Sequence, residues 1–163
     1  MNRVNEIISD PEFKSRACAI EDRERNRFFC KHGISHSLDV ARIAFILNAN
    51  EALGFDKESI YAAALLHDIG RSSSDADLGH AKTSAAVASG LLRRCGYAQD
   101  EISLIVEAIG LHSGTGASPS GGGLPPFSEL IFRADKLSRA CFLCPAQAEC
   151  DWPYERKNKE LSL

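Results

Sequence analysis

The stretch Leu66-His67-Asp68-Ile69-Gly70-Arg71 decides how this chain is interpreted, and it directly follows the apolar run Ile60-Tyr61-Ala62-Ala63-Ala64-Leu65. The apolar run predicts a buried helix that delivers a histidine and an aspartate side by side at its C-terminal end. Buried ionisable groups need a partner, and adjacent imidazole and carboxylate groups are natural ligands for a divalent metal. We therefore interpret His67 and Asp68 as part of a metal site.

The overall composition is that of an ordinary soluble globular protein. The chain has 163 residues, of which 44% are hydrophobic and 25% are charged, so it can bury a real core within one domain. The net charge of −3 argues against nucleic acid or an anionic membrane as a partner. No apolar run reaches the length of a membrane span, and residues 1–6 lack a signal-peptide core. We expect a cytoplasmic protein and leave a homo-oligomer open.

Nearly every segment of the sequence predicts a helix, and no stretch alternates as a strand does, so we expect an all-α fold. Asp10-Pro11 is a strong helix start, and this helix would run to about Phe29. Its polar run from Glu21 to Arg27 is interpreted as a solvated face. The later helices are predicted to begin at, or to be capped by, Ser35, Asp56, His80, Asp100 and Ser128.

Two irregular segments interrupt this pattern. The first is the polar stretch from Arg71 to Gly79, and the second is the glycine-rich stretch from Ser113 to Pro126. Long glycine-rich loops often have functions, so we interpret the second segment as a flexible lid over a site.

The histidines are distributed in a way that favours one shared site. Four of the five fall at helix ends or beside breaks, each on a different predicted helix: His36, His67, His80 and His112. Converging helix ends are a common way to build a metal site. Asp68 and Asp135 add carboxylates, and Asp135 lies in an apolar helix where a lone charge would be unfavourable. Each residue alone has a simpler explanation, such as a favourable helix dipole, but the set of six favours a metal site.

This ordered series resembles the HD superfamily of metal-dependent phosphohydrolases, whose core motif is H…HD…D. The motif residues lie in Ser35-His36-Ser37-Leu38-Asp39-Val40-Ala41, in Leu65-Leu66-His67-Asp68-Ile69-Gly70 and in Arg133-Ala134-Asp135-Lys136-Leu137-Ser138. The doublet alone is weakly specific, but together with its flanking residues it is strongly specific. The resemblance covers roughly residues 33–139. It implies a compact multi-helix HD domain over residues 1–140, with residues 141–163 as a cysteine-containing extension packed on it.

The resemblance also implies how the six residues divide between metals. Family members with only the four core ligands hold one metal, and those with two further histidines hold two. The first metal would be held by His36, His67, Asp68 and Asp135, and the second by His80 and His112, with Asp68 bridging. Iron or manganese is favoured, although nitrogen and oxygen donors do not choose among iron, manganese, cobalt, nickel and zinc.

The activity implied is hydrolysis of a phosphate ester by metal-activated water, and the substrate would be a nucleotide or another small phosphorylated molecule. Asp68, Arg71 and Lys136 are the predicted catalytic residues, and Arg71 and Lys136 would also contact the phosphate. His32 is a further predicted substrate contact or proton donor, although a loop histidine bonded to backbone is the simpler interpretation. Arg42 and Lys82 are weaker candidates because each could be a solvated helix residue.

Two other functions stay open from the sequence. One is a non-catalytic nucleotide-binding or signalling module that uses the metal for ligand capture. The other is an oxygenase with two irons, since some two-metal HD proteins carry out oxidation. The Gly-Tyr-Pro run of the cyclic-di-GMP hydrolases is absent, because only Gly114-Thr115-Gly116 follows His112.

The six cysteines are expected to be thiols or metal ligands, because disulfides are rare in a reducing compartment. Cys141, Cys144 and Cys150 have a credible metal-ligand spacing for zinc or an iron–sulfur cluster. Such a site needs a fourth ligand, which would come from Cys18, Cys30, Cys95 or an N-terminal residue. The alternative, which we prefer at this point, is a set of buried thiols, with Trp152 packing the tail against the bundle.

Overall fold

A computed structural model describes residues 1–73, 79–113 and 123–162 of the chain. These residues form seven α-helices and contain no strand, which confirms the predicted all-α class. Short 3-10 turns follow at Ile69–Ser72, Cys141–Leu143 and Tyr154–Arg156. The helices are α1 (Asn2–Ser9), α2 (Pro11–Arg23), α3 (Ile34–Asn50), α4 (Lys57–Leu66), α5 (His80–Arg94), α6 (Gln99–Leu111) and α7 (Pro126–Leu137).

Helix α4 lies at the centre of the fold and contacts α1, α3, α5, α6 and α7. Its side chains from Ala62 to Leu66 are all buried, and the three alanines among them let neighbouring helices approach closely. Asp56 caps the helix as predicted, because its carboxylate accepts the backbone N–H of Ser59 at 2.9 Å. The helix ends at Leu66, earlier than the predicted end at Ile69-Gly70, so the His67-Asp68 doublet lies in the turn that follows.

Helix α2 is shorter than predicted, because it ends at Arg23 and not near Phe29. The chain turns back after Arg23, and the carboxylate of Glu24 accepts the backbone N–H of His32 at 2.6 Å. Glu24 is buried, although the polar run that contains it was expected to form a solvated face. The turn brings the loop before α3 towards the end of α4.

Several other predicted boundaries differ by one to four residues. Helix α3 begins after Gly33, before the predicted cap at Ser35, and ends at Asn50, before Gly54. Helix α6 begins at Gln99, so that Asp100 lies within its first turn, and α7 begins at Pro126, ahead of Ser128. The start of α5 at His80 and the end of α6 at Leu111 agree with the sequence prediction.

Residues 141–162 pack against the C-terminal end of α7. The side-chain amide of Asn158 donates to the carbonyl oxygens of Lys136 at 2.8 Å and Arg139 at 2.9 Å. The guanidinium of Arg139 lies 3.9 Å from the ring centroid of Trp152, which is a cation–π contact. These contacts hold the tail beside the ends of the helices that carry the predicted site.

Two predicted features fall partly outside the described residues. Residues 74–78 belong to the polar loop after Arg71, and residues 114–122 contain four of the five glycines of the predicted lid. Within the described part of the chain, no helix has the length and apolar character needed to cross a membrane.

Candidate metal centre

The six residues predicted from the sequence meet at one place in the structure. They come from the ends of five helices, because the core packing of α3, α4, α5, α6 and α7 brings those ends together. Four of the side chains are buried, and those of His36 and His80 are partly exposed. The buried four are His67, Asp68, His112 and Asp135.

The first half of the cluster is built around His36 and His67. The Nε2 atoms of these two rings are 3.2 Å apart, and His36 Nε2 lies 3.3 Å from Oδ1 of Asp135. Oδ2 of Asp68 lies 3.2 Å from His67 Nε2 and 3.8 Å from His36 Nε2. Two imidazoles and two carboxylates therefore present their ligand atoms to the same small volume.

The second half of the cluster uses the other oxygen of Asp68. Oδ1 of Asp68 lies 3.5 Å from Nε2 of His112 and 3.6 Å from Nε2 of His80. One carboxylate thus presents a separate oxygen to each of two sets of histidines. This is the arrangement that a carboxylate bridging two cations would require.

Two buried histidines are held in the tautomer that a metal needs. The Nδ1 atom of His67 lies 2.7 Å from the carbonyl oxygen of Ala64, and Nδ1 of His112 lies 2.6 Å from that of Ile109. A carbonyl oxygen only accepts, so each Nδ1 carries the hydrogen and donates it. Each Nε2 is then left with a lone pair directed at the cluster, as in metal-bound histidines.

His36 is oriented by Ser138, a residue that the sequence analysis did not assign to the site. The hydroxyl of Ser138 donates to the carbonyl oxygen of Asp135 at 2.7 Å, so its lone pairs can accept from Nδ1 of His36 at 3.2 Å. Nε2 of His36 is then also a lone-pair donor. The position of Ser138, one helical turn after Asp135, is the sequence signal that could have identified it.

The donor set fits a divalent metal. Two groups of three ligand atoms lie within 4.8 Å of one another, formed by His36, His67 and Asp135 and by His67, Asp68 and His112. Imidazole nitrogens and carboxylate oxygens suit several divalent transition metals, and they do not select one of them.

The sequence matches the HD domain family over residues 33–140, about two thirds of the chain and the part that contains all six residues. The chain belongs to the HD domain family. It is 39% identical over 159 residues to an uncharacterized protein of Clostridium beijerinckii, with 97% of each chain covered. It is also similar to a crystal structure from an uncultured Thermotogales bacterium, described as a predicted HD superfamily hydrolase, with a TM-score of 0.63 at 23% identity. That match covers 91% of this chain and 80% of the other, and it shows a shared fold.

We use the name HD centre for the cluster formed by His36, His67, Asp68, His80, His112 and Asp135. Both carboxylates of the HD centre are held in the charged form. Burial alone would raise the pKa of Asp68, but the neighbouring His67, His112 and Arg71 hold it well below its usual range. Burial is likewise outweighed at Asp135, where the neighbouring His36, His67 and Lys136 keep the pKa low. Each of these two carboxylates therefore carries a negative charge at neutral pH.

His80 stays neutral in the same surroundings. Burial and the positive charge of Arg71 lower the pKa of its imidazole from 6.5 to about 4. Nη2 of Arg71 lies 3.1 Å from Nε2 of His80, and since the guanidinium can only donate, His80 Nε2 accepts. The lone pair of His80 is therefore available at Nε2.

Two of the three predicted substrate contacts, Arg71 and Lys136, lie against the carboxylates of the HD centre. Nε of Arg71 donates to Oδ1 of Asp68 at 2.6 Å, and Nζ of Lys136 contacts Oδ2 of Asp135. Arg139, which the sequence analysis gave no role, has Nη2 3.6 Å from the same Oδ2. Arg139 follows Asp135 by four residues and lies just beyond the end of α7. Of the weaker candidates, Arg42 pairs with the exposed Asp39 at 3.4 Å, and Lys82 is exposed.

His32 lies beside the HD centre, with its ring centroid 5.6 Å from that of His36. Nδ1 of His32 lies 2.8 Å from Oε1 of Glu24. The ring is therefore bonded to a carboxylate, whereas the simpler interpretation expected a bond to the backbone. Burial and the charge of Arg71 lower the pKa of His32, and Asp68 and Glu24 oppose this shift. His32 and His36 line a cavity of about 470 Å³ together with Ser138 and Arg139.

The cysteines of the tail lie at this same cavity and outside the core. Cys141, Cys144 and Cys150 are each partly exposed and line its wall. The structure therefore does not place them among the buried thiols that the sequence interpretation preferred. Trp152 does pack on the helical part of the chain, through Arg139.

Proposed function

We propose that this HD domain is a metal-dependent phosphohydrolase that cleaves the phosphate ester of a nucleotide or another small phosphorylated molecule. The observation that carries the proposal is the orientation of Asp68, which presents Oδ2 to His36 and His67 and Oδ1 to His80 and His112. Membership of a family of metal-dependent hydrolases supports the reaction class.

The six residues would divide the metal binding between them. His36, His67, Asp68 and Asp135 would hold one cation, and Asp68, His80 and His112 would hold the other. A divalent cation so bound supplies a Lewis acid for a phosphoryl oxygen and lowers the pKa of a water molecule towards neutrality. Asp68 would keep both cations within reach of a single phosphate group.

Three cationic side chains would contact the phosphate. Arg71, Lys136 and Arg139 now contact the carboxylates of Asp68 and Asp135. When these carboxylates bind metal, the guanidinium and ammonium groups can turn away and donate to the phosphate oxygens. Arginine is well suited to this task because its planar group donates two parallel hydrogen bonds.

His32 would move the proton during ester cleavage. Glu24 accepts from its Nδ1, which orients the ring and leaves Nε2 for the substrate. The lowered pKa of His32 favours the neutral form in the free enzyme, in which Nδ1 carries the hydrogen and Nε2 has a free lone pair. We assign Nε2 of His32 as the atom that would take the proton released by the attacking water and then pass it to the leaving oxygen.

The test combines metal analysis with a phosphate-release screen over nucleotides and small phosphate esters. The wild-type protein should hold up to two equivalents of iron or manganese and release phosphate. Asp68→Asn should lose metal and reduce kcat by about 10⁴-fold, since it removes a ligand shared by both cations. The matched control is Asp22→Asn, because the Asp22 side chain is 68% exposed and pairs with Arg25 at the surface.

Three results would overturn the proposal. The first is an Asp68→Asn protein that hydrolyses esters at the wild-type rate. The second is nucleotide binding without release of phosphate from any ester, which would indicate a non-catalytic binding module. The third is dioxygen consumption by the iron-loaded protein in place of hydrolysis, which would indicate an oxygenase.

A further inference from the structure

Four of the six cysteines line the cavity beside the HD centre. Cys30 approaches it from the loop after α2, and Cys141, Cys144 and Cys150 approach it from the tail after α7. Cys18 lies on α2 and Cys95 is buried at the end of α5, and neither lines this cavity. Of the candidates that the sequence left open as a fourth ligand, the fold therefore brings Cys30 to the other three.

The backbone that carries these cysteines is fixed by side chains of the same two segments. Nε of Arg27 donates to the carbonyl oxygen of Cys30 at 2.8 Å. The amide of Gln147 donates to that of Cys141 at 3.1 Å, and Nζ of Lys157 donates to that of Cys150 at 3.0 Å. The thiols are thus presented by a preorganised loop pair, as a ligand set should be.

The thiols do not form a close group of three ligand atoms in the described part of the chain. Among the described residues, the sets of three ligand atoms that lie within 4.8 Å of one another contain histidine and aspartate, and no three cysteines meet that limit. A tetrahedral zinc with Zn–S bonds of about 2.3 Å places its sulfur atoms about 3.8 Å apart. A cavity of about 470 Å³ has room for a larger inorganic unit, and four cysteine thiolates are the usual ligands of an iron–sulfur cluster.

The surrounding charge suits an anionic occupant. Three cationic side chains, Lys31, Arg139 and Lys157, line the same cavity as the four thiols, against two carboxylates, Glu21 and Asp39. Nη1 of Arg139 is buried, and none of the described residues accepts a hydrogen bond from it. A buried guanidinium donor without an acceptor is unfavourable, and thiolate or sulfide sulfur would satisfy it.

The thiols also influence one another. Burial raises the pKa of the Cys30 thiol, Arg139 opposes the shift, and Cys141 and Cys144 add to it. Ligation by metal would displace the thiol protons, as it does at other thiolate sites.

We propose that Cys30, Cys141, Cys144 and Cys150 ligate an iron–sulfur cluster of the [4Fe–4S] type. His36 and Ser138 line the same cavity, so the cluster would lie next to the HD centre. The assignment does not depend on the phosphohydrolase proposal, because it uses a separate set of ligands.

The test measures acid-labile sulfide, iron and zinc in protein purified anaerobically, and again after reconstitution with ferrous iron and sulfide. We expect about four sulfides per chain and the broad visible absorption of an iron–sulfur cluster. Cys30→Ser should lower the sulfide content at least about five-fold. Cys18→Ser is the matched control and should retain full sulfide, because Cys18 is an exposed thiol of α2 away from the cavity.

Sulfide separates this site from the HD centre. Asp68→Asn should remove metal from the histidine and aspartate ligands and leave the sulfide content unchanged. Far-UV circular dichroism should be the same for the wild type and the cysteine variants, which shows that they are folded. The proposal fails if zinc is bound without sulfide, if the four thiols stay free after reconstitution, or if Cys30→Ser retains the sulfide.

Discussion

Arg71 contacts the same oxygen of Asp68 that faces the second pair of histidines, with Nε of Arg71 2.6 Å from Oδ1 of Asp68. Its guanidinium also donates to Nε2 of His80 at 3.1 Å. A cation held by Asp68, His80 and His112 would have to displace this side chain. Arg71 is therefore both a counter-charge for the buried carboxylate and a competitor for the second metal position.

The first prediction follows from this competition. Arg71→Gln should destabilise the protein by about 3 kcal/mol without added metal, because Asp68 loses its closest positive charge. It should bind the second equivalent of manganese about tenfold more tightly than the wild type, a gain of about 1.4 kcal/mol. Calorimetric titration measures the affinity, and thermal unfolding with and without manganese measures the stability.

The control for this prediction is Arg42→Gln, since the Arg42 side chain is 62% exposed and pairs with Asp39 at the surface. Arg42→Gln should change neither the affinity for the second manganese nor the free energy of unfolding. Weaker binding of the second manganese by Arg71→Gln would contradict the competition and would assign Arg71 a supporting role in the metal site.

The second prediction concerns the orientation of His36 by Ser138. Ser138→Ala removes the oxygen that lies 3.2 Å from Nδ1 of His36, so the ring loses the contact that selects its tautomer. Metal affinity should fall about 10- to 100-fold, as for comparable contacts behind metal ligands. Competition with a chelator measures this affinity. Ser103→Ala, at an exposed serine of α6, should leave it unchanged.

The third prediction tests the close approach of α5 to the turn after α4. A Cβ atom at Gly70 would lie 2.5 Å from the carbonyl oxygen of His80 and 2.6 Å from the backbone nitrogen of Ser84. Gly70→Ala must therefore push the start of α5, and with it His80, away from Asp68. We expect a loss of about 1–3 kcal/mol in the free energy of unfolding and weaker binding of the second metal equivalent.

Gly110 provides the matched comparison for Gly70. It lies within α6, and a Cβ atom at this position would meet nothing within 4 Å. Gly110→Ala should raise the free energy of unfolding by about 0.5–1 kcal/mol, because alanine favours the helix. Urea unfolding of both variants measures the two effects. Equal stability of Gly70→Ala and the wild type would show that α5 can shift without cost.

The fourth prediction concerns the pH dependence of the ion pairs that hold α1 on α4. Glu58 accepts hydrogen bonds from the amino group of Met1 and from Arg3, and these lower its pKa from 4.5 to about 2. The stabilisation is fully present above the unfolded pKa of 4.5 and is lost as the pH falls towards about 2. Glu58→Gln should cost about 1–2 kcal/mol at pH 7, because the pair is partly buried.

Urea unfolding at pH 7, 4 and 3 tests whether the stabilisation by Glu58 is lost as the pH falls. The difference between the wild type and Glu58→Gln should shrink as the pH falls, because the wild-type carboxylate becomes protonated. Glu149→Gln, at an exposed tail residue, should show no difference at any of these pH values. A difference that grows on acidification would be inconsistent with a lowered pKa of Glu58.

The sequence predicted the residues of the candidate centre better than it predicted their neighbours. Six residues, His36, His67, Asp68, His80, His112 and Asp135, could be found because they fall at or near predicted helix ends and because their order along the chain resembles the motif of the HD family. Glu24 could not be found, because α2 ends early at Arg23 and the chain then turns back to bring His32 against Glu24. Arg139 and Ser138 could have been found by their spacing from Asp135, although spacing does not say that they face the site.

The sequence by itself determined the all-helical class and the six side chains that meet at the HD centre. Helix periodicity, caps and breaks are local properties, so they can be read without knowing how the helices pack. Only the tertiary structure decided which oxygen of Asp68 faces which histidines. It also decided that Ser138 contacts His36, 102 positions away in the sequence, and that Cys30 lines the same cavity as the cysteines of the tail. These contacts depend on the relative placement of distant helix ends, which is fixed by core packing around α4 and leaves no local pattern in the chain.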